Sequence, residues 1–175
     1  MAAHLVSGGA RSGKSRFAEA LALAHGGRVV YVATAELTGD AEFASRVAHH
    51  RARRPVHWAL AEADRRLAAV LARHAAADTL LLVDCLGMWL MRFYGEAGFD
   101  ETAWASERAA LLDALARLPG EIVLVSNEVG WGVVGADAAT RRFVDELGRL
   151  GQDAAAVCKR VTLVACGLPL PLKTG

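Results

Sequence analysis

The sequence predicts a three-layer α/β fold, a mainly parallel sheet flanked by helices, built as one domain over residues 1–175. Three observations carry that expectation. Short apolar runs alternate with stretches of helical periodicity along the whole chain. The first apolar run leads directly into a glycine-rich loop and then into a helix. Polar and acidic residues recur just past the ends of the apolar runs, where open parallel sheets bind their ligands.

The first run, His4-Leu5-Val6-Ser7, reads as a short strand. Residues 15–25 read as a helix with Phe17, Ala20, Leu21 and Ala24 on one face. Between them Gly8-Gly9-Ala10-Arg11-Ser12-Gly13-Lys14-Ser15 fits G-x-x-x-x-G-K-[ST], the phosphate-binding P-loop. The chemistry requires these residue types. Glycines let successive backbone N–H groups turn toward phosphate oxygens. The helix that follows offers free N–H groups and a positive dipole end. Lys14 would reach the β- and γ-phosphates, and the Ser15 hydroxyl would ligate Mg²⁺.

Gly26-Gly27 stops the helix, and residues 28–33 read as a buried strand. Thr34-Ala35-Glu36 follows at its carboxyl end, a position that suits ligand contact or a plain connection equally. Residues 40–54 read as a helix. At about 100° per residue, Phe43, Val47, His50 and Arg54 share one face, which turns His50 inward and His49 outward. An inward histidine is ordinarily a packed, hydrogen-bonded one. The cluster Arg51, Arg53 and Arg54 weighs toward a site for a polyanion such as a triphosphate. The alternative for the arginines is a solvated helix end that complements the dipole.

Pro55 ends that helix. Residues 56–60 can form a short strand with Glu62 just beyond it, and a carboxylate there can accept two N–H groups from a guanine edge. Residues 64–76 read as an amphipathic helix with Leu67, Val70 and Leu71 inward. Thr79-Leu80-Leu81-Leu82-Val83-Asp84 is an apolar strand ending in a carboxylate, and P-loop proteins place such an acid beside the phosphate-bound Mg²⁺. Residues 86–94, with Met88, Trp89, Met91 and Phe93, read as core by default, with a hydrophobic wall for a large substrate or a subunit contact as the alternatives. A glycine-containing loop covers residues 96–100, and a long helix covers 101–118. Residues 121–126 form the next strand, and the polar, glycine-rich loop Asn127-Glu128-Val129-Gly130-Trp131-Gly132 at its end is a site candidate. Residues 137–159 read as a helix, with an interruption near Gly148 and Gly151. Residues 161–166 form a last strand, and 167–173 turn back as an edge strand.

Composition bounds the function. The chain is 54% hydrophobic and 22% charged with a formal net charge of +1, which gives no electrostatic case for nucleic acid as a partner. No stretch approaches the ~18 apolar residues of a membrane span. The first residues lack a basic region followed by an apolar segment, so a cytoplasmic location is expected. Cys85, Cys158 and Cys166 have no metal-site spacing and read as reduced thiols.

Several stretches together resemble one family, the bifunctional adenosylcobinamide kinase / adenosylcobinamide-phosphate guanylyltransferases. They are the P-loop, Tyr31-Val32-Ala33-Thr34-Ala35, His49-His50-Arg51-Ala52-Arg53-Arg54-Pro55 running to Trp58 and Glu62, Val83-Asp84-Cys85-Leu86, the Ser126 to Gly132 stretch, Arg142-Phe143-Val144-Asp145 and Gly167-Leu168-Pro169. The P-loop is generic; the His-His-Arg and Asn-Glu-Val-Gly-Trp-Gly stretches are specific. The resemblance implies a RecA-like fold, often a homotrimer. It implies that ATP or GTP phosphorylates adenosylcobinamide, and that GMP then passes from GTP to the product through a GMP-histidine intermediate. The second histidine of the pair, His50, would carry it. Nucleotide contacts would fall on Gly8 to Ser15, Thr34, Ala35, Glu36, Arg51, Ala52, Arg53, Arg54, Glu62 and Asp84. Gly87, Gly135 and Gly151 depart from a threonine, a proline and an asparagine common at those places. Two other readings compete: a P-loop kinase for a small metabolite, which would not hold GMP covalently, and a nucleotide-switched binding module, which would not turn over a corrinoid.

Overall fold

A computed structural model of the chain describes residues 2–35 and 55–175. The expected helix over residues 40–54 lies outside them. In chain order the elements are β1 (Ala2–Gly8), α1 (Lys14–Ala24), β2 (Arg28–Ala33), β3 (Ala59–Glu62), α2 (Leu67–His74), β4 (Thr79–Asp84) and α3 (Leu86–Met91). They continue with β5 (Tyr94–Gly95), β6 (Gly98–Phe99), α4 (Glu101–Arg117), β7 (Glu121–Asn127), α5 (Ala138–Val157), β8 (Arg160–Ala165) and β9 (Leu168–Lys173). Seven strands form one sheet in the order β3-β2-β4-β7-β1-β8-β9, and β5 and β6 make a separate small ribbon. Every pair in the large sheet is parallel except β8 with β9.

The central strands are apolar on both faces because both faces are covered. One face carries Leu5, Val30, Val32, Leu81, Val83, Ile122 and Leu124, packed under α2, α3, α4 and α5. The other carries Val6, Val29, Tyr31, Leu80, Leu82, Val123 and Val125, packed against Ala18 and Ala22 of α1. Thr79 to Val83 of β4 are almost wholly excluded from water, and each leucine among them contributes about 1.5–3 kcal/mol. The apolar run after β4 is core: Trp89, Phe93 and Trp104 pack with ring centroids 5.1–5.7 Å apart. Asp100 caps α4 by accepting from the Ala103 N–H, and Asp137 caps α5 through the Thr140 N–H.

Three local expectations are corrected. The strand expected over residues 56–60 is β3, three residues further on, so Glu62 ends the strand rather than following it. Val56 is fully exposed, and the pairing with β2 begins at Ala59. The buried face of α1 holds Lys14, Ala18, Glu19 and Ala22, whereas Ala20 and Ala24 are exposed and Phe17 and Leu21 only half-buried. Small alanines let this helix lie close to the sheet. Helix α5 runs through Gly148 and Gly151 without a break; burial of Leu147, Leu150 and Ala154 outweighs the roughly 1 kcal/mol that each glycine costs a helix.

Strand β9 ends the sheet. All six residues, Leu168-Pro169-Leu170-Pro171-Leu172-Lys173, are exposed, and its two prolines are tolerated because no further strand needs their missing N–H groups.

Candidate functional site

Parallel strands put their carboxyl ends on one edge. Register brings the expected residues together there: Gly8 lies opposite Asn127, and Ala33 lies between Asp84 and Glu62 on its two neighbouring strands. Glu36, His49, His50, Arg51, Ala52, Arg53 and Arg54 lie outside the described residues.

The P-loop takes the shape its glycines permit. Gly13 has φ +95° and caps α1 without a side chain, which leaves the helix N–H groups facing outward for an anion. Gly8 is required for space: a Cβ there would sit 2.5 Å from the Ser12 hydroxyl and from the Val164 carbonyl. The Ser12 N–H donates to the Gly9 carbonyl at 3.2 Å, and the Gly167 N–H donates to the Ser12 carbonyl at 2.8 Å. The turn between β8 and β9 is thereby fastened to the loop. Lys14 is 8% exposed, and its Nζ donates to the Gly9 carbonyl at 3.0 Å, so the ammonium folds over its own loop. Ser15 follows on the first turn of α1, while Ala10 and Arg11 are exposed.

Asp84 ends β4 on the α1 side of the sheet. Its Oδ2 accepts from the Tyr31 hydroxyl at 3.1 Å, a partner that orients the carboxylate. Thr34 is buried, and its hydroxyl donates to the Cys85 carbonyl at 2.8 Å. Its own carbonyl accepts from Arg92 Nε at 3.1 Å. Thr34 therefore ties the end of β2 to the β4–α3 junction with its side chain, and Ala35 follows half-buried. Burial, and then the charge of Asp84, push the Cys85 thiol up to about 11. Burial raises Cys158 likewise to about 11. Both stay neutral thiols at neutral pH, so neither is an activated nucleophile.

The sequence reading missed one contact. Glu128 reaches back across the loop: its N–H donates to the Gly8 carbonyl at 3.0 Å, and its Oε1 accepts from the Ser7 hydroxyl. The loop after β7 is thus stitched to the first P-loop glycine. The stretch was legible as a site candidate, but its pairing with Ser7, 121 residues away in sequence, has no local signal. On the α5 side of this contact a cleft of ≈ 630 Å³ opens between the β1/β7 ends, the 128–131 loop and α5. The unusual glycines have local reasons. A Cβ at Gly87 would come 3.2 Å from the Asn127 Oδ1. A Cβ at Gly135 would collide with Thr140, which is held by two hydrogen bonds to Asp137.

The profile of the family described as "Cobinamide kinase / cobinamide phosphate guanyltransferase" matches residues 4–172. The "Bifunctional adenosylcobalamin biosynthesis protein CobP" of Pseudomonas aeruginosa is 52% identical over 169 residues, covering 97% of this chain and 96% of that protein. The protein of the same description named CobU from Salmonella typhimurium is 39% identical over 180 residues, covering 97% and 98%. Among solved structures, a type III secretion system ATPase superposes with TM-score 0.56 at 12% identity, covering 97% of this chain and 56% of that one. The RadB recombinase superposes with TM-score 0.51 at 18% identity, covering 93% and 73%. At such identities the two structures speak for the fold, that of RecA-like P-loop NTPases.

Proposed function

The chain belongs to the cobinamide kinase / cobinamide phosphate guanyltransferase family, and from that premise we propose how its residues divide two reactions. It is a bifunctional enzyme of cobalamin biosynthesis. It phosphorylates adenosylcobinamide with ATP or GTP and then transfers GMP from GTP to the phosphorylated product. The observation that carries this reading is a family match running from β1 to β9 across a P-loop with its glycines, lysine and serine all in place.

In the kinase step the acceptor hydroxyl oxygen attacks the γ-phosphorus and gives up its proton to water, the bond to the β-phosphate oxygen breaks, and the nucleoside diphosphate leaves. The P-loop N–H groups and Lys14 stabilise the charge that builds on the phosphoryl oxygens. In the guanylyl step a neutral imidazole nitrogen of His50 attacks the α-phosphorus of GTP and pyrophosphate leaves. A phosphate oxygen of cobinamide phosphate then displaces the imidazole, giving adenosylcobinamide-GDP. Arg51, Arg53, Arg54 and Glu62 serve the nucleotide in this reading. A carboxylate oriented by Tyr31 and a serine hydroxyl on the first turn of α1 are hard oxygen donors of the kind Mg²⁺ takes. Asp84 and Ser15 would hold that ion, which supplies charge neutralisation at the phosphates. Phosphate oxygens and water would complete the shell of such an ion. Among the described residues no helix is long and apolar enough to cross a membrane. The same reading takes the enzyme as a cytoplasmic homotrimer, and the exposed Leu168 and Leu170 of β9 suit a contact between copies.

The test is incubation with α-labelled GTP and Mg²⁺, then denaturation. Acid-labile label on the wild type is expected, its loss in His50→Ala, and its retention in His49→Ala. Cobinamide phosphorylation should survive in His50→Ala. An unlabelled wild type that still phosphorylates cobinamide would leave a simple kinase instead.

A further inference from the structure

The cleft beside the P-loop has no part in the account above. Ser7 and Ser126, register partners on β1 and β7, line it, with Leu5 and its β8 partner Val161 deeper along the sheet. Each serine stands one residue before the carboxyl edge, and Ser7 immediately precedes the first P-loop glycine, so one part of the cleft lies beside that loop. Ser7 is bonded to Glu128. Ser126 is 3% exposed and lines the cleft.

The outer wall is α5, and here side chains are missing where a core would have them. Gly148 and Gly151 both line the cleft, three residues apart on one helix face, and a Cβ at either would meet nothing within 4 Å. The gap is therefore room, not close packing of backbone. One turn further on, Gln152 brings a primary amide to the same wall. The rim is apolar and exposed: Trp131 lines the cleft at 72% exposure, and Val133 and Val134 continue it at 100% and 77%. Exposed apolar patches of this kind mark binding surfaces.

We propose that this cleft is the acceptor subsite, taking the aminopropanol arm and an amide-bearing edge of the corrin ring, with the ring face resting on Trp131. The assignment rests on the family reading above. The chemistry fits on each count. The arm's hydroxyl must reach a phosphate held at Gly8 to Ser15, and Ser7 of the cleft immediately precedes Gly8. Cobinamide carries primary amides around a methyl-bearing ring, which calls for apolar walls with a few amide and hydroxyl partners. Those partners are Gln152 and Ser126, both in the cleft lining. The ring is too large for the cleft and needs a flat apolar platform outside it, which the rim provides.

The experiment measures cobinamide binding by equilibrium dialysis, and the KM for cobinamide and for GTP, in the wild type, Gly151→Leu and Trp131→Ala. A leucine at 151 fills the cleft without a backbone clash, and Trp131 is too exposed to matter for folding. Both variants are expected to weaken cobinamide binding and raise its KM by about tenfold or more, with the KM for GTP within about twofold. Unchanged cobinamide affinity in both, in an enzyme whose wild type turns cobinamide over, overturns the subsite alone. A change in sedimentation mass with unchanged cobinamide affinity also overturns it, and gives the cleft to a second copy of the chain. A wild type that neither binds nor phosphorylates cobinamide overturns the family reading and the subsite together.

Discussion

On the α1 side of β1 the phosphate loop is closed by contacts at nearly every step. Ser12 is held to Gly9 and to Gly167, Lys14 to Gly9, and Gly8 to Glu128. On the α5 side, a few ångströms of strand away, the wall carries two glycines with open space where side chains would stand. The two regions solve different problems. A triphosphate chain has fixed geometry and charge, so its cradle can be built in advance from backbone and one buried lysine. A large ring with a flexible arm needs volume, and volume is made by leaving side chains out. Glycine serves both ends: at Gly8 and Gly13 because nothing else fits or adopts the angle, at Gly148 and Gly151 because nothing else is there.

The comparison breaks first at Lys14. Lys14→Ala is expected to lower both the kinase and the guanylyl-transfer kcat/KM by about 10²–10³, since one loop holds the triphosphate in each and a contact to transferring phosphate is worth several kcal/mol. Near-normal turnover of either reaction would detach that reaction from the loop.

The two kinds of glycine separate next. Gly8→Ala forces a methyl against Ser12 and the Val164 carbonyl, and overpacking of this kind costs about 1–3 kcal/mol. A lowered urea midpoint and weakened nucleotide binding are expected. A neutral effect would mean that the loop yields more easily than its hydrogen bonds suggest.

The cradle side also carries a pH dependence. His4 of β1 is buried beneath α1, edge-on to Phe17 and bonded to Thr162. Burial, then the nearby charge of Arg160, lowers its pKa from 6.5 to about 4. Above pH 6.5 the ring is neutral folded and unfolded, and it contributes no slope. Between 6.5 and 4 the unfolded chain takes a proton that the folded one refuses, so stability falls as the pH falls. Urea midpoints measured from pH 7 to 5 should drop in the wild type and drop less in His4→Gln. Parallel curves would remove His4 from the account.

The smallest effect lies in the cleft. Gly148→Ala adds a methyl to open space on a helix and should stabilise the fold by about 0.5–1 kcal/mol, read as a raised melting temperature. A loss of stability would mean that the wall is already full.

Much of this was legible in the chain. Strands β2 and β4 stand where their apolar runs begin and end, because a strand buried on both faces has no polar residue inside it and a turn residue at each border. β3 was misplaced because only Ala61 of its four residues is buried; Val56 and Trp58 gave an apolar signal that pairing does not use. The face of α1 was misread because phase was taken from Phe17, while the close approach to the sheet is made by Ala18 and Ala22. The P-loop residues were legible because backbone chemistry dictates them locally. Ser7, Glu128 and the α5 wall were not, since a cleft is a relation between β1, β7 and α5 and none of them announces it alone.

Strand β9 has a consequence for how the molecule meets itself. Proline at 169 and 171 strips two amide donors from a six-residue border, so this end of the sheet cannot template another strand. Its leucines remain free to pack face to face, but a fibre seeded from this side would find every second rung of its ladder missing. Crowded copies of the enzyme can adhere through β9 and still not polymerise along it.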